Sequence, residues 1–264
     1  DHLECHMKNA GINTVVIVGA GFYGSVMAER FANELGWKVV LLEKRNHVGG
    51  NCWSCPDPDT GVEVHAYGPH IFHTSHEEGW KYLNRFTAFN NYRHTVWASR
   101  KGKVYPLPFG LAAINLLLGR RLSPAEARAW MQAEVAREGI AEPSNLEEKA
   151  LSLIGRTLYE AFVKEYTEKH WGMKATELPA YIITRLPVRF TYDVGYYNDR
   201  WQGIPTDGYG ALFKKMLAHP NIEVRLNVDY FSVRNSLPPH GLMVYTGPID
   251  RFFDYKHGRL GWRS

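Results

Sequence analysis

The sequence predicts an α/β protein: a parallel-sheet domain shared between both ends of the chain, a helical insertion, and an antiparallel sheet layer. Three observations carry this expectation. Short apolar runs at Thr14–Val18, Lys38–Leu42 and Leu242–Thr246 read as buried parallel strands. A glycine cluster, Gly19 to Gly24, joins the first run to a helical pattern. The middle of the chain then turns to helix-start signals. The expected boundaries are 1–75 with 203–250 for the parallel-sheet domain and 105–165 for the helical insertion. The antiparallel layer takes 76–104, 166–202 and 251–264.

Composition bounds the problem. The 264 residues are 45% hydrophobic and 22% charged, which is ordinary for a globular chain and excludes disordered, collagenous and low-complexity classes. The net charge is 31 − 27 = +4, too mild for a general nucleic-acid footprint but suited to small anionic ligands. The longest mostly apolar run, around Phe109 to Leu118, is too short to span a bilayer, so no membrane insertion is expected. Cys5 lies in Asp1–His6, which reads as a vector-derived leader ahead of a start at Met7. Cys52 and Cys55 form one C-x-x-C with no second pair, and no metal is assigned to them. With no signal peptide and no glycosylation sequon, a reducing cytoplasm is expected.

The elements follow in order. After Thr14–Val18, the residues Val26, Met27, Arg30, Phe31 and Leu35 recur at helical spacing, and Gly36 closes the helix. Lys38–Leu42 completes a β–turn–α–β unit and ends at Glu43. Val62–Ala66 alternates like a strand, and Tyr92–Arg100 and Lys103–Leu107 read as two strands around Lys101-Gly102. Ser123-Pro124-Ala125-Glu126 is a capping box with proline at the first helical position. Asn145-Leu146-Glu147-Glu148 is a second N-cap with an acidic first turn. Thr157–Glu168 is read as one helix with Leu158, Phe162 and Tyr166 along one face. Arg189–Tyr192 and Ile222–Leu226 are read as strands, with a helix over Tyr209–Ala218 between them.

Gly19 to Gly24 fits G-x-G-x-x-G in its proper setting, with a strand before and a helix after. This is the Rossmann-like arrangement. Gly19 permits the turn, Gly21 lets a pyrophosphate approach the backbone, and Gly24 lets helix and strand pack closely. The N–H groups opening the helix then hold phosphate charge. Glu43 stands 19 residues after Gly24, where a carboxylate accepts from a ribose diol and repels a 2′-phosphate, which argues against NADP despite Lys44 and Arg45. The pair Gly49-Gly50 further along resembles the extended fingerprint of glutathione-reductase-like FAD proteins, with Arg45 near the pyrophosphate. His65, His70 and His73 then fall within nine residues, beside glycine and proline.

Seven blocks carry a family resemblance. They are Val16–Gly24, Glu43–Asn51, Tyr67–Thr74, Tyr166–Gly172, Ile183–Thr191, Asp199–Pro205 and Tyr245–Asp250. In this order they resemble the bacterial UDP-galactopyranose mutases, from about Thr14 to the end of the chain. The resemblance implies a flavoenzyme that interconverts UDP-galactopyranose and UDP-galactofuranose on reduced FAD, through a covalent flavin N5–galactose adduct and without net redox change. It implies FAD contacts at Gly19, Gly21, Gly24, Glu43, Lys44, Arg45, Gly50, Asn51, Thr246 and Gly247. His70 and His73 would flank the flavin ring. Arg185 matches a loop arginine that closes on the diphosphate, a task suited to a planar fork of donors. Tyr166 matches a uracil-stacking tyrosine, with Phe162 on the other side. Trp171 would lie near the sugar and diphosphate, and His94 among the substrate contacts. A homo-oligomer is also implied. Family members continue past the point matching Ser264, and their second diphosphate arginine, two phosphate-contacting tyrosines and Gly-Arg flavin segment have no counterpart here, so this chain alone is not expected to turn over. The rival readings are an amine-oxidase-like FAD oxidoreductase and a non-catalytic UDP-sugar or dinucleotide-binding protein.

Overall fold

The structure, a computed structural model, describes residues 11–183 and 188–261. The chain divides into two compact units, 1–92 with 199–264, and 93–198.

The first unit opens with β1 (Thr14–Val18), α1 (Phe22–Leu35) and β2 (Lys38–Leu42). Val15, Val16 and Ile17 are fully buried. Val15 and Ile17 pack with Ala28, Phe31 and Ala32 of α1, and Val16 packs on the other side of the sheet. Burial on both faces is why the run is continuously apolar rather than alternating. Gly36 ends α1 in the left-handed conformation, φ 67°. Next come the hairpin β3 (Ser54–Pro56) and β4 (Glu63–His65), then β5 (Phe72–Thr74) and α2 (Glu77–Leu83). One buried charge escapes the helical pattern. Glu29 of α1 is 1% exposed, bonded to Arg30 at 2.8 Å, Arg85 at 3.3 Å and the Tyr82 hydroxyl at 2.7 Å. A buried carboxylate needs such partners, and these ones tie α1 to α2 and the turn after it.

The second unit begins with the hairpin β6 (Val96–Arg100) and β7 (Lys103–Leu107). Lys101 and Gly102 both have positive φ, the turn that matches strand twist. Four helices come next: α3 (Leu111–Leu118), α4 (Pro124–Glu138), α5 (Leu146–Leu158) and α6 (Lys164–Trp171). Both expected caps form. The Ser123 side chain accepts from the Glu126 N–H at 3.3 Å while Glu126 accepts from the Ser123 N–H at 2.8 Å. Asn145 accepts from the Glu148 N–H at 3.0 Å. Leu111, Ile114, Leu146, Ile154, Leu158 and Tyr159 form the centre of this unit's core.

Two expectations need correction here. Thr157–Glu168 is not one helix: α5 stops at Leu158, Tyr159–Val163 make a π-turn, and α6 starts at Lys164. The wider turn shifts the phase of α6 by about 100°, one residue's worth of rotation. Leu158 is fully buried while Tyr166 is 70% exposed. Nor is Arg189–Tyr192 a strand. Only Arg189 pairs, in a single parallel bridge to Gly110. Its guanidinium instead takes the carbonyls of Gly195 and, at 2.8 Å, Tyr196, which folds the segment into a loop.

The chain then returns to the first unit as β8 (Trp201–Gly203), α7 (Gly208–Met216), β9 (Ile222–Arg225), α8 (Tyr230–Val233), β10 (Leu242–Tyr245) and α9 (Ile249–Phe252). β8 pairs antiparallel with β5. The main sheet has the order β10-β1-β2-β9 and is parallel throughout. The fold is thus a Rossmann-like domain with helical and antiparallel-sheet regions. Among the described residues no helix is long and apolar enough to cross a membrane.

Candidate functional site

Strand order places the site. β2 lies on one side of β1 and β10 on the other, so the sheet reverses its order there. At such a switch point the loops leaving neighbouring strands diverge and open a crevice at the strands' carboxyl ends. The first unit has this cleft, about 240 Å³, lined by Gly19, Gly21, Glu43, Lys44, Arg45, Gly50, Thr246 and Gly247, with Asp229, Phe231, Tyr245 and Arg251.

The glycine turn forms one wall. Gly19 has φ 98°, and a Cβ there would stand 2.1 Å from Thr246 Oγ1. A Cβ on Gly24 would stand 1.9 Å from the Gly19 carbonyl oxygen, so helix and turn touch backbone to backbone. Gly21 differs, since a Cβ there would meet nothing within 4 Å. Its open side and the opening turn of α1 suit an anion.

Charge lines the other walls. Glu43 is 6% exposed, its Oε2 accepting from the Ala20 N–H and its Oε1 from the Arg45 N–H, both at 2.9 Å. A carboxylate oxygen has two acceptor sites, so each keeps capacity for a ligand hydroxyl. Arg45 donates from Nη2 to Asn51 Oδ1 at 2.9 Å and lies 4.4 Å over the Tyr67 ring. Its Nη1 is buried and has no hydrogen-bond partner among the described residues. An orphaned guanidinium donor is costly. Tyr67 is itself held, its hydroxyl 2.8 Å from His47 Nε2, and His47 stacks on Trp53 at 4.2 Å.

The far wall is not visible in the sequence. Arg251 bonds Asp229 at 2.8 Å and lies 4.4 Å over Phe231. Burial opposes ionisation of Asp229, but the Phe231 N–H and the Arg251 guanidinium outweigh it and hold the carboxyl below its usual range. These residues come after the parallel strands β9 and β10 at their carboxyl ends, a positional signal with no local motif. Gly24 and Asn51 stand behind the lining rather than in it, one supporting the turn and the other Arg45.

The histidines of the first unit lie outside that lining. His65 accepts at Nδ1 from the His70 N–H at 3.2 Å, and burial lowers its basicity. His70 Nδ1 is 2.9 Å from the Gly68 carbonyl. His73 Nδ1 is 2.6 Å from Asp199 Oδ2. Burial pushes the Cys52 thiol up, away from thiolate reactivity.

The remaining expected residues belong to the second unit. Phe162 stacks on Phe109 at 5.5 Å and meets Tyr105 edge-on at 5.3 Å, so it packs with the core. Tyr166 stacks on His170 at 5.6 Å, and His170 meets Trp171 edge-on at 6.3 Å. Trp171 is 41% exposed, so α6 ends in an accessible aromatic cluster. His94 stacks on Tyr197 at 5.7 Å and is edge-on to Tyr196 at 5.4 Å. Arg185 lies outside the described residues.

Comparison with known proteins gives the family. Residues 17–86 match the model of an NAD(P)-binding Rossmann-like domain, and residues 161–264 match that of UDP-galactopyranose mutase. A dTDP-fucopyranose mutase of Escherichia coli is 42% identical over 257 residues, covering 96% of this chain and 68% of that protein. The chain belongs to the UDP-galactopyranose mutase family. A probable UDP-galactopyranose mutase of Klebsiella pneumoniae is 44% identical over 250 residues, 95% of this chain and 64% of the relative. The chain thus spans about two thirds of the length of these mutases. The crystal structure of a reduced UDP-galactopyranose mutase aligns with TM-score 0.57 at 20% identity, over 89% of this chain and 49% of that one, a likeness of fold alone.

Proposed function

We propose that the protein carrying this chain is a flavin-dependent nucleotide-sugar mutase that interconverts UDP-galactopyranose and UDP-galactofuranose. The observation that carries the reading is the switch-point cleft, where a glycine turn, a buried Glu43 and the cations Lys44 and Arg45 line one volume. These groups fit FAD. The Gly19–Gly24 turn and the α1 N-terminus would hold the pyrophosphate, with Lys44 and Arg45 adding positive charge. Glu43 would accept the ribose hydroxyls, while Gly50, Thr246 and Gly247 bound the groove and Asn51 orients Arg45. A Cβ on Gly50 would come within 3.1 Å of Gly21 Cα, so the second glycine pair closes against the first, which supports the glutathione-reductase-like form of the fold.

When bound and reduced, FAD supplies a nucleophilic nitrogen for the sugar's anomeric carbon, so ring size changes without net oxidation. The chain's own work is binding and orientation. Tyr166 and Trp171 would offer ring faces to the nucleotide sugar, with Phe162 supporting from the core and His94 contributing a contact. Arg185 would pair with the diphosphate. His70 and His73 would stand by the flavin ring. The intact protein is expected to purify yellow, with one extractable FAD, and to isomerise UDP-galactofuranose after dithionite reduction. Colourless protein would remove the cofactor, and oxygen consumption with amines in place of isomerisation would favour an oxidase.

A second substrate reading has a specific support, the 42% identity to the E. coli dTDP-fucopyranose mutase. Offering UDP-galactofuranose and dTDP-fucofuranose in competition decides between them through the ratio of kcat/KM.

A further inference from the structure

The β5–β8 ribbon carries a directed hydrogen-bond chain that the cleft does not use. β5 pairs His73 with Gln202 and Thr74 with Trp201. Successive side chains on a strand point to opposite faces. Phe72 accordingly packs inward against Trp80 and Phe89, while His73 is exposed. Just before β8, Asp199 reaches back with both oxygens engaged. Ser75 Oγ donates to Oδ1 at 2.8 Å, and His73 Nδ1 lies 2.6 Å from Oδ2. Ser75 Oγ in turn accepts from the Arg200 N–H at 3.3 Å.

A carboxylate only accepts, so a bond of 2.6 Å to a neutral ring requires the proton on Nδ1. The His73 and Ser75 bonds together hold the Asp199 carboxyl below its usual range, which keeps it ionised at neutral pH. His76 is the other titratable group that acts on Asp199, also in the lowering direction.

The geometry points to Asp199 as a positioning residue: held by Ser75, it fixes His73 as the Nδ1–H tautomer, orients the ring, and leaves Nε2 as the basic nitrogen. A carboxylate behind an imidazole sets tautomer and orientation and stabilises the protonated ring. The consequence for turnover rests on the mutase reading, in which His73 stands by the flavin; the tautomer assignment does not.

The test begins without cofactor or turnover. Protein labelled with 15N-histidine, with the His73 signals assigned by their loss in His73→Gln, is expected to show a protonated Nδ1 and an unprotonated Nε2 at neutral pH. Asp199→Asn turns its amide oxygen to the Ser75 hydroxyl and its NH2 to the ring, which reverses that pattern. In the reduced intact enzyme, the same variant is expected to lose about 10- to 100-fold in kcat with KM little changed. Asp199→Glu should restore part of the rate, and Ser75→Ala, which keeps the carboxylate, should lose less. A wild-type spectrum with the proton on Nε2 overturns the assignment, as does an Asp199→Asn variant with unaltered tautomer and kcat. If Asp199→Asn does not fold, the wild-type spectrum and Ser75→Ala decide. An intact, flavin-loaded wild type that isomerises no nucleotide sugar overturns the mutase reading, and the nitrogen spectrum still decides the tautomer.

Discussion

The first unit's cleft is shaped by side chains that are missing, and the second unit's aromatic cluster by side chains that are present. At Gly24 a Cβ would strike the Gly19 carbonyl, and at Gly19 the Thr246 side chain, so neither has room for a methyl group. At Tyr166 and Trp171 large rings stand in the open, held by stacking on His170 and by the helix end. The first kind of site tolerates almost no substitution. The second should tolerate many as far as folding goes, and reveal its importance only when a ligand is added.

That contrast can be broken or sharpened by substitution. The largest effect is expected from Gly24→Val, whose Cβ would meet the Gly19 carbonyl at 1.9 Å. Loss of soluble, yellow protein is the expected result, and a variant with normal flavin content and melting temperature would refute the close-packing argument. Leu158→Ala, at the fully buried end of α5, should cost about 2–5 kcal/mol in urea unfolding. Next comes the cleft's ion pair. Because the folded-state pKa of Asp229 is depressed, its contribution is present above the unfolded value and lost as pH falls through the folded one. Wild type should therefore lose more stability than Asp229→Asn on acidification through the carboxylate range, and parallel pH–stability curves would contradict this. Ser123→Ala removes one half of a capping box and should cost about 1 kcal/mol. Tyr166→Ala should change stability by no more than about 0.5 kcal/mol, since the ring is mostly solvated. If it also leaves nucleotide-sugar affinity unchanged, the ring is surface only.

Legibility in the sequence tracks the range of the interactions. β1, α1 and β2 are readable because each announces itself within a few residues, by an apolar run, a glycine turn or a left-handed cap. The Ser123 and Asn145 caps are readable for the same reason. The π-turn at Tyr159–Val163 is not, because a constant period of 3.6 carries no sign of it. Gly155 hints at irregularity: with φ 73° it interrupts α5 where a Cβ would come within 2.5 Å of Glu134 Cβ. Asp229 and Arg251 escape a sequence reading because they reach the cleft only through parallel pairing of strands some 200 residues apart, as Val15 pairs with Leu242. Arg189 escapes it too, because its β-like neighbours say nothing of the carbonyls its side chain finds.

The position of β1 has a consequence for how this molecule is made. Its neighbours are β2, completed at Leu42, and β10, which begins at Leu242, with the whole 93–198 unit encoded in between. Domains emerge from the ribosome in order, and long-range parallel pairing is slow. During synthesis the apolar edge of β1 must therefore wait, unpaired, while about 200 residues are added, at roughly 5–20 residues per second. The helical unit can fold in that interval. The nascent chain is most exposed to chaperones and to misassociation during those tens of seconds, and the cleft at the strands' carboxyl ends cannot form before they have passed.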